Sequence, residues 1–365
     1  MITLPDGFAP IQSDQLCDLA LNVNFTVNEF SPFVDRQTLV PRGEGLIVDQ
    51  YYGHAYHPME IRPAAIYGRT TDLPDYSGDH LANDGFLRVP FRRIPRVIVR
   101  SRAEIEELLA SFRSADDNLQ MLFRGQTREH LIRRSPQTTQ WLYGEVAVRE
   151  PSLTTSGSRR KPALEDVLPE WATLLKIFVA DAIGPSPLKY TEFITSHGLP
   201  LFALSLAQHY GLPTFGLDMT DRIEVALFFA LMDKKPSGAY HATYFRLTEF
   251  SEMPVVYILF PAKQQQFAYE ACRPERFPSG RPDAQSARFM HVGWGFADNA
   301  CATRIFLALY LDPAGDFEPI PLPVKLFPPS EFDRFADFLQ RIIGIPLPDK
   351  LARVLAEGFY AVDGE

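Results

Sequence analysis

Proline most constrains this chain. It holds 31 prolines in 365 residues, about one in twelve against a usual share of about 5%. Each removes a backbone donor and clashes with a preceding helical turn, so long uninterrupted helices are disfavoured. The prolines gather in residues 1–95, in loops between 151 and 213, and in the stretch PIPLPVKLFPP, leaving apolar runs between them free to form elements. With 46% hydrophobic and 22% charged residues, the chain can bury a sizeable core.

Charge excludes some classes of partner. A net charge of −9 argues against a general nucleic-acid coat, which needs a basic excess. The 28 arginines far outnumber the eight lysines, and arginine is the better residue for planar contacts to carboxylate or phosphate. The run from Arg88 to Arg102 reads as a strand with a solvated basic edge. Cys17, Cys272 and Cys301 are scattered and match no metal spacing, which fits a reducing compartment. The apolar runs Val225–Met232 and Val255–Phe260 fall well short of the roughly 20 residues of a membrane helix. A cytoplasmic protein without membrane contact is expected.

Composition divides the chain near residue 95. Residues 1–95 form an irregular Pro/Gly-rich lobe with short strand-like runs such as Leu46–Val48. A regular domain is expected over 96–347, and a helix and tail over 348–365. In the regular part, Val97–Val99 reads as a strand and Ser101 to Glu104 as a capping box. That box opens a helix with Ile105, Leu108, Leu109 and Phe112 on one face. Leu119–Phe123 reads as a strand, and Leu164–Ala182 as a helix with an apolar face through Trp171, Leu175 and Phe178. Leu201–His209 reads as a helix stopped by Gly211 and Pro213. Leu217 starts a turn into an all-apolar helix over Ile223–Met232, which predicts burial. Val255–Phe260 and Arg304–Leu311 read as core strands. Ser330 is the expected cap of a helix presenting Phe332, Phe335, Leu339 and Ile342. Helices and strands mix without strict alternation, so the fold class is α+β around a central sheet.

Two segments can carry chemistry. In Leu119–Gln126, Arg124 ends a largely apolar strand. If buried, it needs a carboxylate or a ligand phosphate, while Gly125 permits close approach of backbone or ligand. Asp218 and Thr220 stand just before the apolar helix, where free N–H groups favour anions. Asp221 and Glu224 are spaced as a capping box, and Gln208, His209 and Tyr210 end the preceding helix. An internal arginine–carboxylate pair, capping roles and a core histidine account for the same residues. His54, His57 and Glu60 have a loose metal-ligand look, but Pro58 breaks the alignment and no metal is expected. The loop 154–161 lacks phosphate-loop spacing and reads as a surface loop.

Phe123-Arg124-Gly125-Gln126, Gln208 to Thr214, Leu217-Asp218-Met219-Thr220 and Val225 to Ala230 stand in the order found in the FRG domain family, named for its Phe/Tyr-Arg-Gly motif. The resemblance spans roughly residues 96–347. Phe215 and Gly216 replace an Arg-Leu pair common in the family, and Met219 replaces a tryptophan. A later motif falls on Ser286–Phe296, with His291 where glutamine is usual. The family's members are bacterial and phage-encoded, which implies a role in defence or toxicity. The layout also resembles that of ADP-ribosyltransferases. By that likeness Arg124 anchors NAD, Asp218 and Thr220 hold the arginine or a ribose hydroxyl, and Tyr210 stacks on a ring. His291 then sits near the position of the catalytic glutamate, for which Glu224 is the nearest carboxylate. Gly125, Gln126, Gln208, His209 and Arg160 complete the implied pocket. The cofactor implied is NAD, and the partner a nucleotide-like ligand or a protein target. The alternative is a binding or interaction module without catalysis.

Overall fold

The computed structural model describes short strand segments within 39–56, most of 94–133, 150–156, 198–259, 280–291 and 301–349, and isolated residues elsewhere. Among the described residues no helix is long and apolar enough to cross a membrane.

Residues 39–56 hold three short strands, β1 (Leu39–Arg42), β2 (Leu46–Asp49) and β3 (Ala55–Tyr56), in an antiparallel sheet of order β1-β2-β3. The pattern then becomes denser. Strand β4 (Arg96–Ser101) runs into helix α1 (Arg102–Ala115). Ser101 Oγ accepts the Glu104 N–H at 3.2 Å, and the Glu104 carboxylate accepts the Arg100 N–H at 2.7 Å. The expected capping box therefore forms with its return bond displaced by one residue. The predicted face, Ile105, Leu108, Leu109 and Phe112, is buried.

The central sheet has seven strands in the order β12-β13-β8-β5-β11-β14-β4. They are β5 (Leu122–Gln126), β8 (Gly216–Thr220), β11 (Val255–Leu259), β12 (Gln266–Ala268), β13 (Ala287–His291), β14 (Ile305–Asp316) and β4. All neighbours are antiparallel except β14 and β4. On the edge strand β4, Arg96 and Arg100 are exposed, and Arg100 pairs with Asp312 at 3.3 Å, as a solvated basic edge requires. β6 (Leu131–Ile132) and β7 (Glu150–Pro151) form a two-stranded ribbon, and β9 (Met232–Gly238), β10 (His241–Arg246) and β15 (Ala361–Val362) a separate three-stranded sheet.

The two faces of the central sheet bury different clusters. On one, Phe123, Val256, Ile258 and Leu309 meet α1 and α3 (Ile223–Leu231). On the other, Leu122, Leu217, Met219, Tyr257 and Leu259 pack together. The alternation places Leu122 and Phe123 on opposite faces, as period two dictates. Helix α3 lies against β5 so closely that a Cβ on Gly125 would fall 1.8 Å from the Ala226 carbonyl oxygen. Only glycine fits there.

A third cluster joins Trp171, Leu175 and Phe178 to α2 (Gly198–His209) and α6 (Arg334–Ile343). Two shorter helices, α4 (Arg281–Ala284) and α5 (Pro323–Leu326), lie between α3 and α6 in the chain.

Four local expectations change. Residues 216–220 are a strand, not a turn, because Leu217 and Met219 supply a buried face and β13 supplies five backbone partners. Strand β5 reaches Gln126, beyond the expected end at Phe123. The cap of α6 is Asp333, whose Oδ1 accepts the Ala336 N–H at 3.0 Å, rather than Ser330. Phe332 consequently precedes the helix and is 74% exposed. The Asp221–Glu224 box does not form. Asp221 instead accepts bonds from Ser286 Oγ and Arg288, and the N-cap residue Arg222 makes no side-chain cap bond.

Candidate functional site

The site sits where the central sheet opens. β5 pairs with β11 through all five of its residues, from Leu122 to Gln126, but with β8 only through Phe123 and Thr220. Continuing that register would set Gly125 opposite Asp218. Instead Arg124 Nη1 donates to the Asp218 carbonyl oxygen at 2.5 Å. A side-chain donor thus takes the acceptor that a continued ladder would give to the main chain.

A cavity of about 200 Å³ lies at this opening, lined by Arg124, Asp218, His209, Thr220, Gln285 and Phe229 together with apolar residues of β5, β8 and α3. Thr220 Oγ1 donates to the Gln285 carbonyl at 2.8 Å and accepts the Arg222 N–H at 3.1 Å. This fixes the entry into α3. Gln208 is held from behind, its Oε1 accepting from Ser156 and Thr214 hydroxyls. Its amide group is thereby aimed at the Asp218 carboxylate, with which it bonds.

Charge in the cavity is finely divided. His209 Nε2 lies 3.4 Å from Asp218 Oδ1, with the imidazole 1% exposed and the carboxylate 33% exposed onto the cavity. Burial holds the His209 pKa below its ordinary 6.5, against the pull of Asp218, so the imidazole is neutral at neutral pH. Enclosure pushes the Asp218 carboxyl above its ordinary value, with His209 and Arg124 opposing. A neutral His209 adds no charge to the cavity, which leaves Asp218 and Arg124 as the ionisable groups that face each other across it.

A second cavity, about 610 Å³, shares Arg124 and Phe229 with the first. It is bordered by Gln126, His130, Thr154 and Lys234.

The motifs that frame both cavities lie in one stretch of chain, and a family model described as the FRG domain matches residues 119–239. The chain carries an FRG domain. No curated protein and no solved structure matches the chain.

The FRG motifs converge in three dimensions. Arg124, Gly125, His209, Asp218 and Thr220 border the smaller cavity, Gln126 the larger, and Gln208 stands behind Asp218. Other expected residues lie elsewhere. Tyr210 is fully buried, and its hydroxyl donates to Asp333 at 2.8 Å. Its ring packs on Phe335 and under the Arg281 guanidinium, so it has no face for a ligand. Glu224 lines neither cavity and is bonded by the Arg222 guanidinium. Burial would raise its pKa, but its backbone bond and Arg222 hold it below the ordinary value. The backbone of His291 ends β13 opposite Gly216, two register positions from Asp218, while its side chain lies outside the described residues, as does Arg160. Among the described residues no cluster of metal-ligating side chains occurs. His54, His57 and Glu60 lie outside that set.

Phe229, Gln285 and the Ser152–Thr154 segment line the cavities without having been singled out as site residues. Phe229 was hidden because α3 is apolar on every face. The only available signal was its place in the Phe-Phe-Ala motif.

Proposed function

We propose that the FRG domain binds an anionic nucleotide-type ligand, with NAD the leading candidate, at the opening between β5 and β8. The observation that carries this reading is the position of Arg124, which is bonded across the opening and forms part of the wall of both cavities. A planar guanidinium held in place by a backbone carbonyl brings a fixed positive charge to the wall of both cavities, the group best matched to phosphate. The raised pKa of Asp218 works in the same direction, since a proton held there lessens repulsion of an incoming anion. Asp218 supplies a polar contact for a sugar hydroxyl, and Phe229 offers an aromatic side chain for a ring.

The residues fit the binding of NAD better than its chemistry. Among the described residues no glutamate lines either cavity, and Tyr210 cannot supply the stacking face. Transfer of ADP-ribose is a second reading, favoured by Asp218, a carboxyl group facing the cavity beside Arg124. NAD, if bound, would supply an electrophilic ribosyl carbon. The chain's own residues would anchor the phosphates through Arg124 and hold a proton at Asp218. A cytoplasmic protein that binds or consumes NAD would also fit the defence or toxicity role that the family resemblance implies.

Titration of NAD by calorimetry, with nicotinamide release followed in parallel, separates these readings. Binding that weakens at least tenfold in a folded Arg124→Ala variant supports the pocket, and release by wild type above that variant supports transfer. Binding without release leaves a binding module. Equal NAD affinity in both proteins sinks the proposal.

A further inference from the structure

The larger cavity has no role in this reading so far. It adjoins the smaller one through Arg124 and Phe229, but its chemistry differs. The smaller chamber sets the Arg124–Asp218–His209 group among apolar residues of β5, β8 and α3, whereas the larger is bordered by Gln126, His130, Ser152, Thr154 and Lys234. Apart from the shared Arg124, these are mostly uncharged donors and acceptors, with the exposed Lys234 offset by the neighbouring Asp233. Such a set suits the hydroxyls of a sugar and the edge of a base more than a bare phosphate, which would call for several cations. The segment carrying Ser152 and Thr154 is fixed in place. Ser152 N donates to the His130 carbonyl at 2.7 Å, the Ser152 and Thr154 hydroxyls lie 3.0 Å apart, and Ser156 bonds Thr214 N and Gln208. The chamber wall is therefore tied to the same Gln208 that orients Asp218.

We infer that the larger chamber is a second subsite, which takes the second nucleoside half of a pyrophosphate-bridged dinucleotide while Arg124 holds the bridge and the smaller chamber takes the first half. This rests on the nucleotide reading above and adds to it a second subsite and a selectivity. A ligand with one phosphate and one nucleoside fills one chamber, whereas a pyrophosphate joining two sugars reaches both. The arginine on the shared wall stands where the bridge must pass.

Calorimetric titration of the full chain with ADP-ribose and with AMP tests the subsite. Wild type is expected to bind ADP-ribose at least tenfold more tightly than AMP. Lys234→Glu, at an exposed strand position, and Thr154→Val, which keeps shape and removes a hydroxyl, are expected to erase most of that preference and to change AMP affinity less than twofold. Equal affinities for the two ligands in wild type, or a tenfold preference that survives both substitutions, overturns the subsite while leaving the Arg124 pocket standing. Binding of neither ligand overturns the nucleotide reading and the subsite with it.

Discussion

The two flanks of β5 differ sharply. Toward β11 the strand is closed, with Val255↔Gln126 through Leu259↔Leu122 all in register and the side chains of β11 fully buried. Toward β8 it holds one residue pair, and a guanidinium occupies the opening beyond it. The closed flank is apolar on both faces. The open flank gathers Arg124, Asp218, His209, Thr220 and the cavities. Under the proposed binding, one strand serves stability on one side and ligand access on the other, and substitutions on the two sides should separate these effects.

The largest expected effect belongs to the closed flank. Ile258→Ala, at a fully buried position of β11, should lower stability by about 3 to 4 kcal/mol through lost burial and a residual cavity. Its folded fraction should bind ligand normally. Denaturant midpoints and calorimetry check both parts.

Gly125→Ala comes next. The added Cβ would meet backbone atoms of α3 at 1.8 and 2.8 Å, which no side-chain rotation relieves. A loss on the order of 3 kcal/mol is expected, with α3 displaced and ligand binding weakened. A loss below about 0.5 kcal/mol would show that α3 does not press on the strand.

Arg124→Lys should reverse that pattern. It keeps the charge but loses the fork, so stability should fall by only about 1 kcal/mol while nucleotide affinity falls at least tenfold. Equal losses in both would make Arg124 a residue that merely closes the sheet.

The pH dependence sharpens the comparison from within the open flank. The lowered pKa of His209 means that the unfolded chain binds its proton more readily. This contribution to stability is therefore lost as pH falls below 6.5. The raised pKa of Asp218 has the opposite sign, and its contribution is lost as pH rises above 3.8. His209→Asn should flatten the acid-side loss, and Asp218→Asn should gain on wild type as pH rises. Unfolding curves between about pH 4 and 7 read both. Matching slopes in all three proteins would contradict the buried pair.

The smallest effect is expected at Glu224. Its bond to a half-exposed Arg222 is a surface pair worth well under 1 kcal/mol, so Glu224→Ala should change neither stability nor ligand binding appreciably. A large loss of activity would restore the glutamate to the site.

Much of the closed flank was legible in the sequence. The cap at Ser101, the buried face of α1, the apolar strands β11 and β14 and the largely buried character of α3 follow from local periodicity. The open flank was legible as motifs and not as geometry. Residues 216–220 look like a turn because Gly211, Pro213 and Gly216 precede two polar residues. Only β13, some 70 residues later in the chain, makes them a strand. Tyr210 looked available because its partner Asp333 lies 123 residues away. Asp333 itself was passed over for Ser330, since both residue types cap helices and local sequence cannot show which one is buried against Arg281. The separation of β5 from β8 depends on which backbone partners are missing, and no local pattern records that.

Calorimetric titration of ADP-ribose into wild type and into Arg124→Gln, each with its melting temperature, tests the central claim most directly. The account predicts binding by wild type, at least tenfold weaker binding by the variant, and melting temperatures within a few degrees of each other. Undiminished affinity in the variant, or a variant that no longer folds, would contradict it.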